Sequence, residues 1–500
     1  MSKTFDFKNL SDEDLDYIFK PVQDLFTKFT PRRHQYISLA FGNEVDRLVY
    51  AHGIGTGKTL CAIWTMLLWE VKKTLVVCPG SAFEAWERDI SGHTNLSYKF
   101  LMGSSEVRKE DVKADEDVFI INYEGLKCLF GNLVRKKISE DGTITPGGWK
   151  VDYDSLNRFS FDCVVVDEIH RASSFMAKQI EICHELSWRA KKFIGLTGSL
   201  VNKRTIDKNL LDLWSVLKVV DLGKTLGNNV HRYRNAYFRK RGFDWELKPG
   251  SAKKILSRLE NVCIRFDKRE CLDLPPVTRV VRKVDMTKSQ RDLEKVAIDE
   301  ISKDGISITN ALVKSAKLRQ IASGFMYKKG RNEREVIRCK TNKTKELLLL
   351  LDEMEGKVII FFEFVEEGVI IQELLQKHRI RYVRIQGNVK EEDRIANSKL
   401  FVENEDIRVM LCMERCAKES WHWAVSHNEI FYTQSYKHLT REQCEGRVDR
   451  DGQEEPCLIV DLAVRGSVEE VPLRSRKDEK KAAEEVLNYI KEKGGRIVDS

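Results

Sequence analysis

The sequence lacks the features that mark membrane, secreted and disulfide-bonded proteins. No window approaches the roughly 18 apolar residues that a membrane helix needs. The opening stretch, MSKTFDFKNLSDEDLD, is acidic and has no continuous apolar segment, which argues against a signal peptide. The twelve cysteines are scattered without a CxxC pair, which argues against a zinc ribbon or a disulfide framework. We therefore expect a soluble intracellular protein with reduced thiols. Its expected compartment is the cytoplasm or, for a protein that acts in a host cell, the cytoplasm or nucleus of that host.

A strong charge imbalance is also missing. The 85 basic residues face 77 acidic ones, and the formal net charge over 500 residues is +8. This balance permits nucleic-acid binding through local patches but does not by itself indicate it. The stretch RYRNAYFRKRG, residues 232–242, interleaves arginine with aromatic residues and is the patch that we favour for nucleic-acid contact. A solvated charged surface is the alternative.

Short apolar runs alternate with helix-length segments along most of the chain. Runs of this length, rich in Val and Ile, are typical of buried parallel strands in an α/β fold. The chain is more charged and more helical between about residues 224 and 340. We predict an α/β protein with two parallel-sheet lobes and a helical connection, divided into 1–223, 224–340, 341–466 and a charged helical tail, 467–500. The runs are TLVVCPG, VFIINYE, FDCVVVDE, KKFIGLTGS, KVIIFFEF, RYVRIQG, IRVMLCM, NEIFYT and CLIVDLAV.

The stretch AHGIGTGKTLCAIW lies between a strand-like run and a helical pattern. Its glycines let backbone N–H groups curl around an anion, and the following helix adds the positive end of its dipole. Lys58 can reach terminal phosphates, and the Thr59 hydroxyl can hold Mg²⁺. The strict phosphate-loop pattern has glycine where this chain has His52, and an ordinary turn is the alternative. We predict a nucleotide-binding loop made of Gly55, Thr56, Gly57, Lys58 and Thr59.

Two adjacent carboxylates end the apolar run in VVVDEIH. They come at the carboxyl end of a predicted strand, where open α/β sheets bind ligands. ATP hydrolysis needs one carboxylate for the magnesium ion and a base or positioner for the attacking water. Asp167 suits the first role and Glu168 the second. The alternative, that the pair only ends a strand and caps a helix, is disfavoured because a phosphate loop precedes it.

The order of GTGKT, DEIH, LTGS and QCEGRVDRDGQ resembles that of superfamily 2 helicases and translocases. The DExH form and the GRxxRxGQ ending resemble the SWI/SNF-type branch, which comprises ATP-driven translocases on double-stranded DNA. VVCPGSAFEAWERDI, INYEGL, LTGSLVNKRTIDKNLLDLWSVLKVV, RECLDLPPV and LRQIASGF are similar to further blocks of that branch. The similarity runs from about residue 31 to residue 453. It implies two RecA-like lobes, with ATP bound by the first, and the compact build resembles small virus- or phage-encoded members.

The resemblance also implies roles for polar residues outside the phosphate loop. Gln35 in PRRHQ matches the glutamine that reads adenine, a role that suits a bidentate amide. Thr197 and Ser199 in LTGS match the motif that couples hydrolysis to the lobes. An ordinary surface glutamine and a helix-capping hydroxyl pair are the alternatives.

The final motif, QCEGRVDRDGQ, spaces Gln443, Arg447 and Arg450 at i, i+4 and i+7, which would place all three on one helix face. The resemblance implies that these arginines reach the ATP phosphates as arginine fingers. A guanidinium suits that role because its planar fork grips phosphate bidentately. A solvated charged helix is the alternative.

One segment departs from the family pattern. A glycine-rich GGxGxN run is expected before the last strand, whereas this chain has CMERCAKESWHWAVSH, without glycine. Contacts of that motif with nucleic acid and nucleotide are therefore expected to differ here. Trp421 and Trp423 in this segment either stack on bases or pack in the core.

The resemblance implies a DNA-dependent ATPase that uses Mg²⁺ and translocates on double-stranded or branched DNA, with DNA favoured over RNA and no membrane partner. A strand-separating DNA or RNA helicase is one alternative. A nucleotide-binding interaction module without turnover is another. A further alternative is an accessory factor that remodels a protein complex on DNA, such as a polymerase.

Overall fold

The chain forms two compact units. The first comprises Met1–Asn202 and Ile206–Leu272, and the second consists chiefly of Asp273–Ser500. The computed structural model describes residues 7–20, 24, 30–134, 137–138, 144–145, 148–173, 178–198, 206–242, 244–303, 310–329, 334–387, 389–417, 421–475, 485–486, 488–489 and 492–493.

The first unit is built on a parallel sheet with strand order β13-β1-β10-β9-β2-β4-β3 within the described residues. The antiparallel pairs β5 with β8, β6 with β7 and β11 with β12 lie outside it. The strands of the unit are β1 (Arg47–Tyr50), β2 (Thr74–Cys78), β3 (Tyr98–Phe100), β4 (Val118–Asn122), β5 (Gly131–Val134), β6 (Lys137–Ile138), β7 (Ile144–Thr145), β8 (Gly148–Val151), β9 (Cys163–Asp167), β10 (Lys192–Leu196), β11 (Phe238–Arg241), β12 (Asp244–Leu247) and β13 (Cys263–Ile264).

Apolar side chains cover both faces of this sheet. Leu75 and Val77 belong to one core cluster, while Val76 and Cys78, the alternate residues of β2, belong to the other. Continuous apolar runs are therefore required here, because each strand is buried on both faces. The helices of the unit are α1 (Asp12–Phe19), α2 (Arg33–Glu44), α3 (Lys58–Leu68), α4 (Phe83–His93), α5 (Ser105–Asp111), α6 (Tyr123–Phe130), α7 (Tyr153–Arg158), α8 (Lys178–Arg189), α9 (Ile206–Asp221), α10 (Val230–Tyr237), α11 (Ser251–Leu259) and α12 (Lys268–Cys271).

The second unit has its own parallel sheet, with strand order β14-β21-β20-β17-β19-β18 in the described part of the chain. A separate pair, β15 with β16, is antiparallel. Its strands are β14 (Val277–Val284), β15 (Phe325–Lys329), β16 (Arg334–Arg338), β17 (Val358–Phe362), β18 (Tyr382–Ile385), β19 (Val409–Met413), β20 (Asn428–Phe431) and β21 (Cys457–Val464). Its helices are α13 (Lys288–Lys303), α14 (Ala311–Ala322), α15 (Lys343–Glu353), α16 (Val365–Lys377), α17 (Glu391–Glu403), α18 (His438–Glu445) and α19 (Glu470–Ser475).

A small separate core joins α13 and α14 to the C-terminal part of the chain. Ile298 and Leu318 from the two helices share it with Val471 and Val486. The Tyr489 hydroxyl donates to Glu294 Oε1 at 2.5 Å, which fixes the described tail residues on α13.

The predicted fold class is confirmed, since both units are α/β with parallel sheets. Each of the nine apolar runs contains a strand. The segment 224–340 carries helices α10–α14, and it also contributes β13 to the first sheet and β14 to the second. The four-part division of the chain stays a prediction. Among the described residues, no helix combines the length and the apolar character needed to span a bilayer.

Candidate functional site

The predicted phosphate loop connects β1 to α3 and depends on two glycines. Gly55 (φ 82°) and Gly57 (φ 79°) have left-handed backbones, which residues with a Cβ rarely adopt. A Cβ on Gly57 would also lie 2.4 Å from Gln35 Nε2. Helix α3 begins directly after Gly57, and its N-terminus favours an anion. The loop therefore has the backbone form and the polarity of a phosphate site.

Lys58 and His52 lie at the two ends of this loop. The Lys58 ammonium donates to the carbonyl oxygens of His52 and Gly53, at 3.1 Å each. The His52 side chain is fully buried, with Nε2 2.9 Å from Ser38 Oγ and its ring centroid 5.5 Å from that of Phe266. The departure from the glycine of the strict pattern is accommodated because this ring packs in the core.

Strand β9 delivers the acid pair, and the environment separates the two carboxylates. Burial and then the neighbouring Glu168 raise the pKa of Asp167 to about 6, although Lys58 acts to lower it. Burial also acts to raise the pKa of Glu168, but a hydrogen bond and charge from His170, with the charge of Lys58, lower it below its usual value. Trp86 Nε1 donates to Asp167 Oδ2 at 3.3 Å. Because Lys58 acts on both acids, the loop and the acid pair form one electrostatic site.

His170 connects the acid pair to the end of β10. Its Nδ1 lies 3.0 Å from Glu168 Oε2 and 3.2 Å from Thr197 Oγ1. Thr197 is buried, and its backbone N–H donates to the Tyr50 carbonyl at 3.1 Å. Thr197 is thus joined through His170 to the Glu168 carboxylate, whereas Ser199 lies outside the described residues.

Tyr123 and Trp86 also hold the acid pair, and sequence reasoning missed them both. Glu168 has a left-handed backbone, φ 55°, a conformation that costs a non-glycine residue roughly 1–2 kcal/mol. The Tyr123 hydroxyl donates to the Asp167 carbonyl at 2.6 Å, and Trp86 contacts the Asp167 carboxylate. Tyr123 lies in the block INYEGL and Trp86 in the block VVCPGSAFEAWERDI. The local sequence pattern of these blocks does not indicate which atoms the two side chains contact.

Gln35 lies in α2, beside the phosphate loop. Its Oε1 accepts from the Arg32 backbone N–H at 2.7 Å, and its Nε2 lies against the position that a Cβ on Gly57 would occupy. The side chain is buried, with 3% of its surface exposed. Recognition of adenine by Gln35 stays a prediction.

The final motif of the second unit does not form a single helical face. Helix α18 ends at Glu445, so Gln443 is helical while Arg447 and Arg450 follow the helix end. The backbone tightens there, since the Arg447 N–H donates to the Cys444 carbonyl three residues before it. The expected i, i+4, i+7 alignment is therefore broken.

The two arginines nevertheless converge on one acceptor. The Arg447 and Arg450 guanidinium groups both donate to the Trp421 carbonyl, at 2.9 and 2.6 Å. Arg447 also donates from Nε to the Gln443 carbonyl at 2.8 Å. Tertiary contact thus brings together what a continuous helix was expected to align.

The glycine-free segment supplies that acceptor. Trp421 and Trp423 are 7% and 0% exposed, and their rings stack with centroids 6.0 Å apart. Trp423 Nε1 donates to Ser398 Oγ at 2.8 Å. Of the two roles left open for these tryptophans, packing in the core is the one that the structure supports.

The groups near the phosphate loop suit a magnesium nucleotide. The Asp167 carboxylate and the Thr59 hydroxyl are oxygen ligands of the kind that Mg²⁺ prefers beside substrate phosphates. Thr59 is half-buried in the first turn of α3, and Asp167 senses the charge of Lys58. These residues fit the predicted cofactor.

The sequence matches the model of the SNF2-related domain over residues 39–341, more than half of the chain. The chain belongs to the SNF2-related domain family. The resemblance to SWI/SNF-type proteins is thereby confirmed. The predicted class of enzyme, a helicase-like ATP hydrolase, is the class of this family.

Curated relatives of the chain come from a phage and from eukaryotes. Putative protein p41 of Acyrthosiphon pisum secondary endosymbiont phage 1 is 26% identical over 60% of this chain and 65% of its own length. The CHD3-type chromatin-remodeling factor CHR7 of Arabidopsis thaliana is 24% identical over 85% of this chain and 34% of its own length. Chromodomain-helicase-DNA-binding protein 1-like of Mus musculus is 23% identical over 84% and 45%. The chain thus spans about one third to two thirds of these relatives.

Among solved structures, the chain is similar to the Sulfolobus solfataricus SWI2/SNF2 ATPase core in complex with double-stranded DNA. The TM-score is 0.41 at 18% identity, and the match covers 92% of this chain and 95% of that one.

Proposed function

We propose that this protein hydrolyses ATP in response to double-stranded DNA and uses the hydrolysis to translocate along the duplex. The observation that supports this most is the arrangement in the first unit. Lys58 affects the pKa of both Asp167 and Glu168, and His170 links Glu168 to Thr197. A phosphate loop and a pair of acids are parts that phosphoryl transfer to water uses, and the Thr197 hydroxyl is linked to them through His170.

Each part has a distinct chemical role. Lys58 and the loop amides bind the phosphates, while Thr59 and Asp167 hold Mg²⁺, which neutralises phosphate charge when bound. The lowered pKa of Glu168 keeps it ionised near neutral pH, which suits a group that orients water or accepts its proton. Thr197, with Ser199, couples this chemistry to motion.

The second unit contributes the remaining residues. Arg447 and Arg450 stabilise the charge that develops on the phosphates, and Gln443 completes their motif. In the first unit, Gln35 serves adenine recognition. These assignments follow from the family motifs.

DNA is the partner that the relatives' names favour, since they include chromatin-remodeling and DNA-binding proteins. Strand β11, which lies within the basic patch 232–242, exposes Arg239, Lys240 and Arg241. Phosphate contacts of this kind give binding that is independent of sequence and sensitive to salt. Remodelling of branched DNA, or displacement of a DNA-bound complex such as a polymerase, would follow from translocation.

One set of assays tests the proposal. ATP hydrolysis is measured for wild type and Lys58→Ala without nucleic acid and with single-stranded DNA, duplex DNA or RNA, alongside triplex displacement and duplex unwinding. We expect stimulation by duplex DNA, displacement of the third strand, no unwinding and no activity of the variant. Unwinding would support a strand-separating helicase instead, and absence of turnover under every condition would leave a nucleotide-binding module.

A further inference from the structure

The turn between Asp167 and Glu168 lies beyond the end of the ladder between β9 and β2. This ladder ends with Val77 opposite Val166, one residue before Asp167. On the opposite edge of β9, Asp167 pairs with Leu196 of β10. The ladder on the β2 side therefore stops just before Glu168 takes its left-handed backbone.

Tyr123 contacts this turn from the end of a different strand, β4. It follows Asn122 directly as the first residue of α6, and it is 4% exposed. Its hydroxyl donates to the Asp167 carbonyl at 2.6 Å and lies 3.4 Å from the Glu168 carbonyl. One hydroxyl thus spans both residues of the acid pair.

The ring of Tyr123 is fixed separately from its hydroxyl. The ring belongs to the core cluster on one face of the first sheet, and the Arg171 guanidinium lies 5.1 Å from its centroid. Packing of this kind would be satisfied equally by phenylalanine. The hydroxyl is the one part of the side chain that core packing does not require, and it is the part that contacts the acid pair.

We propose that Tyr123 is a positioning residue for hydrolysis, whose hydroxyl holds the Asp167–Glu168 turn so that the Glu168 carboxylate stays aligned with its partners. The inference rests on the proposed ATPase activity. Tyr123 acts through Glu168, whose carboxylate Oε2 lies 3.0 Å from His170 Nδ1. Loss of the hydroxyl leaves nucleotide contacts unchanged and loosens the group that aligns water.

The variant Tyr123→Phe tests this, with Ser187→Ala as its control. Ser187 is also buried in the first unit, at 0% exposure, and its hydroxyl also donates to a backbone carbonyl, that of Val219, at 2.5 Å. In Tyr123→Phe, kcat should fall about tenfold, as for one lost hydrogen bond, while KM for ATP stays within about twofold. Ser187→Ala should keep the wild-type kcat. An unchanged kcat in Tyr123→Phe, or an equal fall in both variants, would overturn the proposal.

A second measurement is independent of activity. Hydrogen exchange is followed by mass spectrometry in full-length protein for a peptide spanning Asp167–Arg171, where the Glu168 N–H donates to Asp167 Oδ1 and the Arg171 N–H to the Glu168 carbonyl. Exchange should be about tenfold faster in Tyr123→Phe and unchanged in Ser187→Ala. If the wild-type protein does not hydrolyse ATP, the proposed function alone is refuted, and hydrogen exchange decides the role of Tyr123. Faster exchange in Tyr123→Phe supports that role, and unchanged exchange overturns it.

Discussion

At the scale of residues, Arg450 can separate nucleotide binding from hydrolysis. An arginine that acts on transition-state charge contributes little to binding of the ground state. Arg450→Ala should therefore bind a fluorescent ATP analogue within about threefold of wild type, while DNA-stimulated hydrolysis falls by at least about a hundredfold. Arg465→Ala is the control, because Arg465 is 65% exposed and pairs with Asp285 on the surface. Unchanged turnover in Arg450→Ala would contradict the assignment.

Glu429 is a residue whose charge opposes folding. It is fully buried in β20, and neither carboxylate oxygen meets a hydrogen-bond donor within the described part of the chain. Burial raises the pKa of Glu429 well above its usual 4.5, Glu445 adds to this, and Arg441 and Arg447 oppose it. Because the folded state prefers the protonated form, stability is lost as the pH rises above about 4.5.

Glu429→Gln should therefore increase the free energy of unfolding at pH 8 by roughly 1–2 kcal/mol, and the gain should shrink as the pH approaches 4.5. Urea denaturation at several pH values measures this. Glu403→Gln, at an exposed position, should change little at any pH. A loss of stability at pH 8 in Glu429→Gln would contradict this, because it would mean that the ionised carboxylate stabilises the folded state.

At the scale of elements, α18 is held by one buried arginine. Arg441 donates to Glu445 at 2.6 Å and to Asp461 of β21 at 2.5 Å, and its guanidinium carbon lies 3.2 Å from the Phe431 ring centroid. Arg279 of β14 pairs with Glu445 from the other side at 2.6 Å. The helix that leads to the two arginines of the final motif is therefore tied to three strands of the second sheet.

Arg441→Met should destabilise the second unit by about 3–5 kcal/mol, because it leaves carboxylates without their buried partner. The matched control is Arg381→Ala, which removes an exposed pair with Asp406 and should cost no more than about 1 kcal/mol. Equal effects of the two changes in urea denaturation would contradict the anchoring role of Arg441.

At the scale of the whole molecule, each unit has its own sheet and core. We expect the chain to unfold in two transitions, and Glu429→Gln should move only the transition of the second unit. A magnesium nucleotide at about 100 times its dissociation constant should stabilise the first unit by about 2.7 kcal/mol. Calorimetry with wild type and Lys58→Ala measures this shift. A shift that persists in Lys58→Ala would mean that the nucleotide binds elsewhere.

Features carried by adjacent residues were predictable from the sequence. The strands were predictable because a strand buried on both faces must be a continuous apolar run, and β2 and β9 are such runs. The phosphate loop was predictable because two left-handed positions close to a helix start require Gly55 and Gly57. The acid pair was predictable because it follows its strand directly.

Only the tertiary structure decided which distant residues share the site. Tyr123 and Asp167 are 44 positions apart, and Trp86 and Asp167 are 81 apart. The burial of Trp423 and the convergence of both arginines on the Trp421 carbonyl also depend on tertiary packing. Local propensity and spacing act over a few residues. The partner of a hydroxyl, an indole N–H or a guanidinium is set instead by how strands and helices pack, and that depends on the whole unit at once.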